Sequence, residues 1–315
     1  MKSKRFSLPK KHTLRPRELS LEVLIDDEFA LIPGKASEQR AQISTWEKLR
    51  NTGLQNYIII DENESGLIQV SVNEEPPVEI SLKDKEKIKD VLHDRNILID
   101  ISGFPHHIWA PILRAAYELK IQTRVLYSEP QSYNPHKSPA SSTLFDLSKE
   151  FGGLSPLPGF AQLSGPLDES KCIFVALLGF EGNRPRSLIY NFDPPPKVIP
   201  IVGVPGFQIE FPSFTIKCNK ELLDEFQAYV DIRYAHASSP FDAYKQLKDI
   251  RETYPDHYMY IAPVGTKPHG LGAILFSITN PGDTEILFDH PVRKVGRTDG
   301  LGAIHIYDFG MFDGY

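Results

Sequence analysis

The chain has 315 residues, 41% hydrophobic and 24% charged, with a formal net charge of −6. These values fit a soluble globular protein with one large α/β domain or two smaller ones. The acidic balance argues against broad electrostatic binding to nucleic acid, which needs a basic face, and no run of about 18 apolar residues occurs, so no membrane-spanning helix is expected.

The first residues carry Lys2, Lys4, Arg5, Lys10, Lys11, Arg15 and Arg17. They read as a solvated basic arm or as the one stretch suited to nucleic-acid or partner docking. They lack an apolar h-region, so no signal peptide is expected, and a cytoplasmic setting follows. Cys172 and Cys218 have no CxxC spacing and suggest neither zinc nor a disulfide framework. No cofactor is expected.

Residues 19–31 alternate acidic and apolar side chains and fit a strand or a short helix. Residues 36–54 fit an amphipathic helix. Residues 56–61 are β-branched and read as a strand, with 66–72 as its hairpin partner and 78–82 as a third strand. A charged helix covers 83–92. Residues 1–95 are therefore expected to form an N-terminal α+β region with a hairpin.

From residue 96 the pattern changes. Residues 96–101 are nearly all apolar, as in a strand buried on both faces. A helix follows at 106–120 and a strand at 123–128, giving a βαβ unit. Residues 129–169 are rich in Pro, Ser and Gly and read as a functional loop or linker. Strands are then expected at 171–179, 196–202, 231–235, 257–262, 284–288 and 303–307, with helices at 219–229, 242–252 and after 266. The expected fold is α/β: a doubly wound, mostly parallel Rossmann-like sheet over 96–315, interrupted at 129–169, with the N-terminal region as an extension.

In such a sheet, ligands bind beyond the carboxyl ends of the strands. Four loops qualify: Asp100-Ile-Ser-Gly-Phe-Pro-His-His107, Gly179-Phe-Glu-Gly-Asn-Arg184, Gly203-Val-Pro-Gly206 and Gly265-Thr-Lys-Pro-His269. The candidate binding residues are Ser102, Gly103, Gly179, Glu181, Asn183, Arg184, Ser239, Gly265, Thr266 and Lys267. Backbone N–H groups, a hydroxyl and an ammonium in the last loop suit an anion. The loop is not a P-loop, because the Walker glycine is missing and Lys-Pro replaces Lys-Ser/Thr. Glu181, Arg184 and Arg186 suit a ribose and a phosphate, or a surface ion-pair cluster. Ser239 suits a helix cap whose hydroxyl also reaches the rim. Tyr127 and Glu129 end a strand and suit the same cleft. Asp100, His106, Glu181 and His269 are the acid–base candidates. Ser102 lacks the G-x-S-x-G elbow of a nucleophile, and no His/Asp/Glu set has metal-ligand spacing.

Phe174-Val-Ala-Leu-Leu-Gly179, Ser239-Pro-Phe-Asp242 and Tyr260-Ile-Ala-Pro-Val-Gly-Thr-Lys267 stand in an order that resembles the CARF-type Rossmann sensor domains over roughly residues 170–290. The resemblance implies a pocket lined by an early glycine loop and a later Gly-Thr-Lys loop, commonly across a dimer axis, that binds cyclic oligoadenylate. The family's more usual acidic-Thr-Gly-Gly-Thr-Lys pattern is here Ala262-Pro-Val-Gly-Thr-Lys267, with Asp100-Ile-Ser-Gly103 as a second acid-containing loop. It further implies a regulatory protein of bacterial antiviral defence, with a nucleotide-like ligand, a protein partner encoded nearby and a homodimer. Two alternatives stand beside it: a nucleotide or nucleoside hydrolase on the same sheet, and a structural subunit of a larger complex.

Overall fold

Strands that are apolar on both faces must be covered on both faces, and such runs place the centres of both five-stranded sheets. A computed structural model describes residues 10–18, 28–50, 52–63, 65–140, 143–162 and 165–310. The start of the basic arm and most of the element expected at 19–31 lie outside the described residues. In chain order the strands are β1 (Lys10–Leu14), β2 (Phe29–Ile32), β3 (Ile58–Glu62), β4 (Leu67–Val72), β5 (Val78–Ser81), β6 (Asn96–Asp100), β7 (Thr123–Tyr133), β8 (Pro135–Ala140), β9 (Thr143–Phe145), β10 (Ser148–Phe151), β11 (Cys172–Leu177), β12 (Lys197–Gly203), β13 (Arg233–Ala235), β14 (Tyr258–Ala262), β15 (Thr284–Ile286), β16 (Pro291–Arg293) and β17 (Thr298–Asp308). The helices are α1 (Trp46–Leu49), α2 (Lys85–Leu92), α3 (His106–Leu119), α4 (Asn183–Ile189), α5 (Phe211–Cys218), α6 (Lys220–Glu225), α7 (Pro240–Thr253) and α8 (Lys267–Thr279).

The chain forms two compact units, residues 1–130 with 299–315, and residues 131–298. The first holds a five-stranded sheet in the order β1-β17-β7-β6-β2 and a three-stranded sheet in the order β3-β4-β5. β2, β6 and β7 run parallel, whereas β3, β4 and β5 form an antiparallel meander. The second unit holds five parallel strands in the order β13-β12-β11-β14-β15. The antiparallel pairs β8–β9 and β10–β16 complete it.

The class is α/β, as expected, but a single doubly wound sheet from residue 96 onward is not what forms. β6 and β7 pair with β2 and β17, and the last strand joins β1 instead of extending the later sheet. Because β2 lies in the same sheet as β6, no sheet boundary falls at residues 95 and 96. A run buried on both faces signals a central strand without naming its neighbours. The Pro/Ser/Gly-rich stretch is not a bare linker either: β7 extends to Tyr133, and β8, β9 and β10 follow. The long helix expected at 36–54 is a 3₁₀ turn at Gln39–Ser44 followed by the short α1, and α5 arises where no helix was expected.

β11, at the centre of the second sheet, is buried at every position. Cys172, Phe174, Ala176 and Leu178 form one core with Leu188 and Ile189 of α4 and Leu222 and Leu223 of α6. The period of two sends Ile173, Val175 and Leu177 to the opposite face. α7 begins at an N-cap, Ser239, whose hydroxyl accepts the Asp242 N–H at 3.1 Å, with Pro240 at the first helical position. α8 is buried from Pro268 to Ser277. It approaches α7 closely at Gly272, where a Cβ would lie 2.4 Å from the Pro240 carbonyl oxygen and 2.9 Å from Ala243 Cβ.

Gly272→Ala therefore overpacks two backbones that have no soft neighbour to yield. The expected loss is ~1–3 kcal/mol in denaturant unfolding. Gly165→Ala, with nothing within 4 Å of the added methyl, is expected to leave stability nearly unchanged.

Candidate ligand-binding cleft

The strand order of the second sheet reverses between β11 and β14, because β12 and β13 lie on one side of β11 and β14 and β15 on the other. The crossovers that leave these two neighbouring strands diverge and open a crevice at their carboxyl ends. Glycines let the two loops touch there. A Cβ at Gly179 would lie 2.9 Å from the Val264 carbonyl oxygen, and one at Gly265 would lie 2.5 Å from that of Leu178. A side chain at either position would force the loops apart.

The crevice is a cleft of ≈ 590 Å³, counting the space at its open mouth. Leu178 to Glu181 follow β11, Gly203 ends β12 with Gly206 and Phe207 following it, Ala237 follows β13, and Val264 to Thr266 follow β14. Tyr133, Leu147, Phe211 and Thr215 add an apolar side, and Arg293 and Arg297 a basic one. The aromatic side is braced from behind. Phe145 stacks on Phe180 with centroids 4.6 Å apart, and Tyr133 and Phe211 meet the same ring edge-on at 5.2 and 5.3 Å. The lining thus holds two guanidinium groups, one carboxylate, Glu181, and several aromatic rings, and Arg293 Nη1 donates to Glu181 at 2.6 Å.

Arg184, predicted as a ligand contact, is buried beneath this lining. Its Nε and Nη2 donate to the two carboxylate oxygens of Asp289 at 2.8 and 2.6 Å. Its Nη1 donates to Glu181 at 3.1 Å and to the Val264 carbonyl at 3.3 Å. Burial works against the charged forms in this cluster. For Glu181 the charges of Arg293 and Arg184 overcome it and hold the carboxyl down at about 2. Arg293 has less support. Burial and the neighbouring Arg184 and Arg297 charges pull it down to about 9, against the opposing pull of Glu181.

Of the candidates from sequence, Gly179, Glu181, Gly265 and Thr266 line the cleft, and Asn183, Arg184, Ser239 and Lys267 are outside its lining. Thr266 caps α8: its hydroxyl accepts the His269 N–H at 3.3 Å and donates to the Ala237 carbonyl at 2.8 Å. Asn183 opens α4 with its side chain exposed, and Lys267 opens α8 half-buried. Asp100, Ser102, Gly103 and His106 belong to the first sheet and its α3. There Asp100 is fully buried and accepts the Ser102 N–H at 2.7 Å and the Ser44 hydroxyl. The Ser102 hydroxyl accepts the Ser128 N–H at 2.9 Å. A Cβ at Gly103 would meet the Lys35 carbonyl oxygen at 1.9 Å, and His106 packs its ring 4.9 Å from that of Trp109. Glu129, in the same unit, pairs with His305 at 2.7 Å. Among the described residues, no three His, Cys, Asp or Glu side chains gather as a metal set, and no helix is long and apolar enough to cross a membrane.

No family model, curated protein or solved structure matches this chain. Sequence reasoning did not single out Arg293, Arg297, Phe180, Phe207 and Phe211. The aromatic residues carried a signal, since Phe180 and Phe207 each follow a loop glycine directly. The two arginines carried none, because their place depends on a short strand pair formed far along the chain.

His269 is fully buried, and its Nε2 donates to the His236 carbonyl at 3.1 Å. Nδ1 has no hydrogen-bond partner among the described residues. Burial holds this imidazole neutral, lowering it from 6.5 to about 4. Between those values the unfolded chain binds a proton that the folded chain refuses, so lowering the pH favours unfolding. The contribution is fully present above pH 6.5 and is lost as pH falls through about 4. His269→Gln is expected to flatten the stability profile in that window by up to about 3 kcal/mol, checked by urea unfolding across pH.

Proposed function

We propose that the second unit binds a nucleotide-like anion in the strand-end cleft, and that the chain acts as a ligand-sensing or regulatory protein. The observation that carries this reading is the pairing, in one cleft, of a braced aromatic wall with two guanidinium groups outnumbering one carboxylate. A flat heteroaromatic base gains area and quadrupole interactions against Phe180 and Phe211. A phosphoryl group gains charge-assisted hydrogen bonds from arginine. Loop glycines let backbone come close to such a ligand. The strand order with its reversal beside β11 supports a Rossmann-like reading of this unit.

Recognition is favoured over hydrolysis by the state of the acid–base candidates. Glu181 is held ionised between two arginines, and His269 is sealed in the core away from the cleft lining. Neither is poised to exchange a proton near neutral pH.

A thermal unfolding panel of mononucleotides, dinucleotides and cyclic oligoadenylates tests the reading. A binder at a hundred times its Kd stabilises by about 2.7 kcal/mol, a shift of several degrees. Phe180→Ala is expected to reduce nucleotide affinity by ~10-fold, since stacking on one ring contributes ~1–3 kcal/mol. Absence of any stabilisation at millimolar nucleotide would overturn the proposal.

A further inference from the structure

Two arginines at this site use the same guanidinium in different ways. Arg184 grips Asp289 with its Nε and Nη2, the edge that presents two parallel N–H donors, and spends Nη1 on Glu181 and a carbonyl. Arg293 also commits Nη1, which donates to Glu181 at 2.6 Å and to the Ser148 hydroxyl at 3.0 Å. Its Nε and Nη2 have no hydrogen-bond partner among the described residues. They are not sealed in the core either: the Arg293 side chain is 29% exposed and lines the cleft.

The placement of this side chain is over-determined. Ser148 is the cross-strand partner of Arg293 in the β10–β16 pair, so the register brings the hydroxyl to Nη1. Glu181 arrives from the loop after β11 and takes the same nitrogen. Two anchors on one nitrogen fix the guanidinium plane and leave the opposite edge without a partner among the described residues. The nearby Arg184 and Arg297 charges make that edge more favourable for an anion.

We infer that the Nε/Nη2 edge of Arg293 is the cleft's oxyanion fork and receives a phosphoryl group in bidentate fashion, with Glu181 and Ser148 as its positioning residues. This rests on the nucleotide reading for the choice of phosphate over carboxylate, since both fit the fork. The paired edge also sets a specificity rule. A lysine at this position keeps the charge but is a point donor without the paired edge, so it is not an equivalent.

Titration calorimetry on the full chain, with inorganic pyrophosphate and ADP as probes, tests the fork. Arg293→Lys is expected to weaken pyrophosphate binding by ~10-fold or more relative to the unsubstituted protein. Equal affinity, or no measurable pyrophosphate binding to the unsubstituted protein, overturns the fork. ADP binding no tighter than pyrophosphate leaves the fork standing and instead counts against the nucleotide reading. A second measurement needs no variant. Phenylglyoxal labelling of the unsubstituted protein, mapped by peptide mass spectrometry, should modify Arg293 in the free protein and spare it when pyrophosphate is present. Equal labelling in both conditions overturns the inference.

Discussion

One buried guanidinium ties the strand-end face of the second unit together. Arg184 stands at the start of α4 and bonds to Glu181 after β11, to the Val264 carbonyl after β14 and to Asp289 after β15. Burying such a charge costs several kcal/mol unless each donor finds a partner. Four hydrogen bonds to two carboxylates and a carbonyl meet that demand, and they fix three strand ends relative to one another. The close approach of the Gly179 and Gly265 loops depends on the same alignment. Removing the carboxylate of Asp289 would leave the cation underneath the cleft poorly compensated, so the site has little room to vary at this point.

Above that foundation the charges are arranged asymmetrically. Arg184 donates from all three of its nitrogens, Nε, Nη1 and Nη2, whereas Arg293 is anchored on one nitrogen only. Glu181 serves both, and its low carboxyl reflects two cations sharing one anion. The Nε/Nη2 edge of Arg293, without a hydrogen-bond partner among the described residues, belongs to the same lining as Phe180, Phe207 and Phe211. Geometry of this kind suits the proposed ligand, with its flat apolar part and anionic part. It does so with groups that are already fixed, so little ordering entropy remains to be lost on binding.

Much of the second sheet was legible in the sequence. β11, β12 and β14 are short apolar runs followed by glycine, and each was placed to within a residue or two. Ser239 announced the start of α7 because a cap is a local signal, settled by three or four residues, whereas Thr266, read as an anion contact, turns out to cap α8. Partner choice was not legible. β6 and β7 look like members of the later sheet, yet they pair with β2 and β17, which lie far away along the chain. Arg293 shows the same limit in miniature: its position depends on register with Ser148, 145 residues earlier, and no local pattern encodes that. Ser102 and Asp100 read as rim residues from their glycine loop, but they serve the first unit, where each is buried and hydrogen-bonded.

The central claim is that the strand-end cleft of the second unit is where the ligand sits. A crystal structure of the full chain grown with ADP tests it most directly. The account requires the base to lie against Phe180 and Phe211, with phosphoryl oxygens about 2.7–3.1 Å from Arg293 Nε and Nη2. Nucleotide density at any other place on the chain, with this cleft holding only water, would contradict it.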